Sequence, residues 1–230
     1  MTSVENHLIA QLPSKDRKRL LQVCEPVELE LEQILSNHGD RTRHAYFPTS
    51  SFISMVTEIE GKPALEVGMV GREGMLGVHV VLSVSTQPLH ALVQGAGTAW
   101  RIRTRTLCDE LDRNRRLQLI LNRYLYVLMS QLASSAACIR FHQIEARLAR
   151  WLLMMQDRAQ ADSFGVTHEF LAYMLGVRRE GITAAAGALH HQRLITYKRG
   201  WVSVLNRKGL EEASCACYAA DNEVYMRIMH

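Results

Sequence analysis

Between Thr167 and Ile195 the sequence THEFLAYMLGVRREGITAAAGALHHQRLI carries two helical periods separated by a glycine. Thr167 can cap a first helix whose apolar face is Phe170, Leu171 and Met174, and Leu175-Gly176 marks the turn that follows. The second helix opens on Arg178, Arg179 and Glu180, with Ile182, Ala185, Ala186 and Leu189 as its inner face. Its alanines and glycines permit close approach to the first helix. Arginine and glutamate in the first turn of such a helix are long enough to reach phosphates and base edges in a major groove. Two core helices with solvated arginines would show the same period, so the flanking residues have to decide.

Those residues read as a basic hairpin. Leu194-Ile195-Thr196-Tyr197 and Trp201-Val202-Ser203-Val204-Leu205 have the β-branched and aromatic content of strands, and Lys198-Arg199-Gly200 would turn the chain between them. From Arg140 to Gly209 there are eleven Lys and Arg against five Asp and Glu, whereas residues 1–139 hold fifteen against fourteen. A local positive excess of this kind is the footprint of a nucleic-acid-binding module.

Taken in order, HQIEARLARWLLMMQDR, THEFLAYMLGVRREGIT and LITYKRGWVSVLNRKGLEE resemble the C-terminal half of the Crp/Fnr family of bacterial transcription regulators. The resemblance is strong over about residues 140–212 and rests on layout over the first hundred. It implies an α+β chain: an N-terminal antiparallel β-barrel or jelly roll of cyclic-nucleotide-binding type, a long dimerisation helix and a C-terminal winged helix-turn-helix. The corresponding divisions are residues 1–104, 105–138 and 139–215, with a tail at 216–230. Residue by residue, Arg179 and Glu180 fall where the family reads bases. Thr167, Arg178, Thr183, Lys198 and Arg199 complete the expected DNA contacts, and Ala184 stands where some relatives have a third base-reading arginine. The implied partners are double-stranded DNA with an inverted-repeat operator, a second copy of the chain, and RNA polymerase.

The first hundred residues fit that layout. Short helices with a start signal near Ser14 precede an alternating run, Val27-Glu-Leu29-Glu-Leu31-Glu, and strand-like runs recur at 43–47, 51–57, 64–70, 89–94 and 98–103. Glycines at 39, 61, 71, 74, 77, 95 and 97 punctuate them, as expected of an antiparallel barrel or jelly roll. From Arg105 to Ala137 the period becomes helical, with Leu117, Ile120, Leu121, Tyr124, Leu125, Leu128 and Leu132 at steps of three and four. That stripe suits a core helix or a coiled-coil seam. The resemblance assigns Leu117, Leu121, Tyr124, Leu128 and Leu132 to a dimer interface. A further helix at about 142–158 would turn Ile144, Leu148, Trp151, Leu152 and Met155 inward.

The effector is not legible. Cyclic-nucleotide binders of the family use a Gly-Glu pair for the ribose and an Arg-Ser pair for the phosphate; here those places hold Gly77-Val78 and Leu89-His90. Valine cannot accept a hydrogen bond and leucine cannot pair with a phosphate, so cyclic AMP is not expected to bind in the usual mode. Arg101, Arg103 and Arg105 alternate as if along one face of a strand, a solvated edge or an attractor for an anion. His38, His44, His79 and His90 form no short ligand motif.

Five cysteines, Cys24, Cys108, Cys138, Cys215 and Cys217, include no Cys-x-x-Cys, and Cys24 is alone near the N-terminus. No disulfide framework, zinc site or iron-sulfur cluster is indicated. Cys215-Ala-Cys217 would suit redox chemistry or a metal but reads more simply as an incidental pair in a tail. No bound cofactor and no metal are therefore expected.

No nucleophile elbow, phosphate-binding loop or His-Glu-x-x-His is present, which leaves nothing to support an enzyme. No apolar run approaches the ~20 residues needed to cross a bilayer. MTSVENHLIAQL lacks the basic start and apolar segment of a signal peptide, so a cytoplasmic protein without membrane contact is expected. The competing functional reading is a small-molecule or redox sensor whose winged domain binds protein rather than DNA.

Overall fold

The computed structural model describes residues 5–58, 60 and 64–230. The expected turn glycine Gly61 lies outside the described residues. The chain divides into two compact units: one takes in residues 5–55, 69–129 and 225–230, the other 56–58, 60, 64–68 and 130–224.

The first unit opens with two short helices, α1 (His7–Ala10) and α2 (Ser14–Gln22). Asn6 starts α1 by accepting from the amides of Leu8 and Ile9. Among the described residues seven strands follow along the chain, with the end of β4 and most of β5 belonging to the second unit: β1 (Glu25–Leu29), β2 (Ile34–Ser36), β3 (His44–Pro48), β4 (Phe52–Thr57), β5 (Leu65–Val70), β6 (His90–Gly95) and β7 (Gly97–Arg103). They form two sheets, ordered β1-β7-β3 and β2-β6-β4-β5. β7 pairs antiparallel on both sides, Val27 opposite Ala99 and Tyr46 opposite Arg101.

Leu29, Tyr46 and Ala99 from one sheet and Ile53, Ala91 and Val93 from the other share one buried cluster. The sheets therefore pack face to face in a jelly-roll-like arrangement, and neither closes into a barrel. Each fully buried aliphatic side chain of this kind contributes roughly 1.5 to 3 kcal/mol. Gly97 makes the corner: its φ is 154°, and a Cβ there would come within 2.8 Å of the Ser50 and Ser51 backbone.

Three strand expectations change. β2 has no counterpart among the expected runs, because three residues are too few to show a period. The alternating run at Val27 ends early, since Leu31 lies beyond β1 and is exposed. Arg105 is not on the strand of Arg101 and Arg103 at all; it sits in the first turn of α3 (Thr104–Arg113).

The expected continuous helix at 105–138 is two helices, α3 and then α4 (Arg115–Phe141). Asn114 separates them with φ −130° and ψ 89°, and its side chain accepts from the amides of Arg116 and Leu117 to start α4 afresh. Asparagine competes for backbone groups in this way, which makes it a poor interior residue and a good cap.

Leu117, Leu121, Tyr124 and Leu128 are buried within the protein's own chain, and Leu132 is half-buried. The first four, enclosed by their own chain, offer little surface to a second copy, whereas Leu132 keeps some. The free apolar side of this stretch of α4 carries Leu119, Tyr126 and Met129, exposed by 50%, 55% and 61%.

The second unit contains α5 (Ile144–Ala159), β8 (Ser163–Gly165), α6 (His168–Leu175), α7 (Arg179–His191), β9 (Ile195–Lys198), β10 (Trp201–Val204), α8 (Arg207–Ala213) and most of α9 (Cys217–Met229). Leu148, Trp151, Leu152 and Met155 of α5 are buried, together with Leu171 and Met174 of α6 and Ile182, Ala185, Ala186 and Leu189 of α7. A Cβ at Gly181 would come within 2.9 Å of Ile144, so α7 lies tightly on α5. The hairpin gains a third strand, in the order β8-β10-β9.

The tail at 216–230 is helical. α9 occupies it, with Asp221 accepting from Arg150 at 2.8 Å and the Tyr218 hydroxyl donating to Asp157 at 2.7 Å. Cys138 and His142 stand against Cys215 and Cys217.

Candidate nucleic-acid interface

Three local devices build the site. The Thr167 hydroxyl accepts from the Phe170 amide at 3.1 Å and starts α6, and Gly176, at φ 62°, ends it. Three residues later α7 begins, its first turn bearing Arg179 and Glu180 with Arg178 as its cap position. In the hairpin, Arg199 (φ 51°) and Gly200 (φ 81°) form a two-residue turn with both φ values positive, the geometry that matches strand twist. Lys198 belongs to β9 and pairs with Trp201, so the turn is one residue shorter than its sequence suggests.

The tip of the hairpin is tied to the start of α6. The Val166 amide donates to the Gly200 carbonyl at 2.7 Å, and the Tyr197 hydroxyl donates to the Val166 carbonyl at 3.0 Å. Thr167, Arg178, Arg179, Glu180, Thr183, Lys198 and Arg199 are all exposed. Thr183 has a second attachment: its hydroxyl donates to the Arg179 carbonyl at 3.1 Å and lies 3.1 Å from His168 Nδ1.

This helix, turn, helix and three-stranded hairpin span a matched domain. Residues 146–213 match the Crp-like helix-turn-helix domain. Several solved structures share the fold of the chain. One is FixK2 from Bradyrhizobium japonicum, at 14% identity over 84% of this chain and 98% of that one, with a TM-score of 0.72. Another is the c-di-GMP-responsive global regulator CLP from Xanthomonas campestris, at 16% identity over 84% and 99%, with a TM-score of 0.69. A third is TTHA1359, a transcriptional regulator of the CRP/FNR family from Thermus thermophilus, at 19% identity over 83% and 98%, with a TM-score of 0.65. The chain thus shares the fold of these regulators, and its residues 146–213 are a Crp-like helix-turn-helix domain. No curated protein sequence matches it.

Within this Crp-like helix-turn-helix domain the basic residues divide by task. Arg207 pairs with Asp157 at 2.8 Å and Glu211 at 2.9 Å, Arg150 pairs with Asp221, and Arg147 donates to the Leu175 carbonyl. These three hold the domain together. Arg178, Arg179, Lys198 and Arg199 reach solvent, so the local charge excess counts structural and surface cations alike.

His168 is the residue that the sequence did not flag. Its ring lies 4.3 Å from that of Tyr197, and its Nδ1 meets Thr183 fifteen residues away. Burial, and then the Arg179 charge, lower its pKa below the ordinary histidine value. No local pattern announces such a contact; a histidine beside the cap threonine is the single hint.

In the first unit a polar cavity of about 260 Å³ is lined by Asp40, Arg41, Thr42, Arg43, His44 and Gln87, among others. Val78 is buried on a 3-10 helix at Val78–Leu82, and Leu89 is half-buried; neither lines that cavity. His79 is engaged at 2.8 Å with Thr42. No helix among the described residues is long and apolar enough to cross a membrane.

Proposed function

We propose that this chain is a dimeric, sequence-specific DNA-binding transcription regulator. The observation that carries the reading is the exposed first turn of α7, with Arg179 and Glu180 free of the core and a basic hairpin tip fastened to the start of α6. Arg179 can fork onto guanine O6 and N7, and Glu180 can accept from a cytosine amino group. Arg178, Thr183, Lys198 and Arg199 supply phosphate contacts, and Thr167 contributes from the N-terminus of α6.

The dimer is proposed to form through the solvent side of α4, with Leu119, Asn122, Tyr126 and Met129 at alternating steps of three and four. An open groove of about 490 Å³, lined by Asn122, Arg123, Tyr126, Arg227, Ile228 and His230, adjoins this side. Two copies so joined would present their recognition helices about 34 Å apart, one turn of B-DNA, to an inverted repeat. Ala184 removes one base-reading side chain relative to some family members, so the half-site should differ from theirs at one base pair.

The effector, where there is one, is proposed to differ from cyclic AMP in its usual mode. The experiment for the DNA reading is titration of random duplex DNA at several salt concentrations. Affinity falling steeply with salt supports phosphate contacts by the basic surface, and salt-independent or absent binding overturns the reading.

A further inference from the structure

Cys138, His142, Cys215 and Cys217 bring three sulfurs and an imidazole nitrogen within 4.8 Å of one another. Cys138 Sγ and Cys215 Sγ are 3.4 Å apart, and Cys217 Sγ is 3.7 Å from His142 Nδ1. Metal–sulfur bonds of about 2.3 Å and metal–nitrogen bonds of about 2.0 Å at tetrahedral angles put ligand atoms roughly 3.5 to 3.8 Å apart. The four groups are therefore close to the spacing of a closed tetrahedral site. We propose that Cys138, His142, Cys215 and Cys217 form a structural Zn2+ site that staples the loop between α8 and α9 to the end of α4.

The local structure explains how the ligands converge. Cys138 lies in the last turn of α4, and the His142 amide donates to the Cys138 carbonyl at 3.1 Å, so the two side chains share one face at a spacing of four residues. Cys215 and Cys217 flank the bend that starts α9. Cys138 and Cys215 are buried, and Cys217 and His142 are half-buried.

Three thiolates and one neutral imidazole around a divalent ion leave one net negative charge. Buried Arg147, which donates to a carbonyl, stands near enough to act on Cys138 and Cys215, while Arg150 acts on all three sulfurs and is held by Asp221. Soft sulfur donors with one imidazole and no carboxylate select zinc over calcium, magnesium or manganese. On binding, the thiols lose their protons to solvent as the metal–sulfur bonds form.

The test uses the full chain purified under reducing conditions, with Zn2+ and Co2+ as probes. One metal ion per chain is expected. Co2+ should give the intense visible bands of a tetrahedral site and a sulfur-to-cobalt charge-transfer band, both erased by Zn2+. Cys138→Ser or Cys215→Ser should weaken binding by more than about 100-fold, beyond the 10- to 100-fold typical of losing an outer partner. His142→Cys should retain a tetrahedral spectrum, and Cys24→Ser and Cys108→Ser should leave binding unchanged. Should the serine variants fail to fold, alkylation of the native chain decides: Zn2+ should protect Cys138, Cys215 and Cys217 and leave the labelling of Cys108 unaltered. A pale octahedral cobalt spectrum, equal labelling with and without zinc, or a Cys138–Cys215 disulfide in a chain that takes up no metal after reduction would each overturn the site.

Discussion

The ring of Tyr124 closes over Gly74 so tightly that a Cβ on the glycine would lie 2.0 Å from the tyrosine hydroxyl oxygen. This contact fixes which side of α4 faces its own chain. Gly74→Ala should destabilise the protein by about 1 to 3 kcal/mol through overpacking, measurable by denaturant titration. Leu128→Glu should unfold the first unit, because it buries an unpaired carboxylate in the core. Met129→Glu, on the solvent side, should leave the fold intact and convert dimer to monomer in analytical ultracentrifugation. A folded Leu128→Glu monomer alongside a dimeric Met129→Glu protein would return the seam to the buried stripe.

The hairpin turn separates a stability effect from a binding effect. Arg199 holds a positive φ that costs a residue bearing a Cβ roughly 1 to 2 kcal/mol and that asparagine tolerates better. Arg199→Asn should raise the melting temperature while lowering affinity for random DNA and reducing the salt slope by about one phosphate contact. An unchanged slope would place Arg199 away from the backbone.

His168 should make the packing of α6 on α7 depend on pH. Its folded pKa lies below its unfolded value of about 6.5 because burial, and then Arg179, disfavour the charged ring. The folded state thus binds this proton less well than the unfolded state. Stability from this group is fully present above the unfolded pKa and is lost as pH falls through that value towards the folded one. The groups facing the ring are Arg179 and Thr183 of α7 and Tyr197 of β9. NMR titration of the His168 ring should show the lowered value, and Arg179→Ala should raise it; a value at or above 6.5 in the unmodified protein would contradict the prediction.

Cyclic AMP should not raise the melting temperature if Val78, which is buried, and Leu89, which offers no polar atom, stand where the resemblance places the polar anchors. A ligand at 100 times its dissociation constant would add about 2.7 kcal/mol, an effect visible by calorimetry. Saturable stabilisation by cyclic AMP would show that other groups, such as those lining the Arg41 and Arg43 cavity, hold it.

What the sequence disclosed was what is decided locally. The Thr167 cap, the Gly176 stop and the small residues of α7 lie within a few positions of the structure that they set, and each is found where its chemistry predicts. The face of α4 was not decidable in that way. Leu121 and Tyr124 repeat at helical spacing, and so do Leu119, Tyr126 and Met129; only the rest of the chain determines which stripe it covers. Cys138 and Cys215 are 77 residues apart, so no spacing motif could join them. The break at Asn114 was the nearest miss, because a capping residue between two apolar runs is a signal in its own right.

The central claim is that α7 reads base sequence, and selection of binding sites from a random duplex pool, followed by titration of native and Arg179→Ala proteins on the selected and random DNA, tests it most directly. The account predicts an enriched inverted repeat with half-sites centred about one helical turn apart. It also predicts that Arg179→Ala costs about 1 to 3 kcal/mol on that repeat with little change on random DNA. A pool that enriches no repeat, or an Arg179→Ala loss equal on both DNAs, would contradict base reading by this helix.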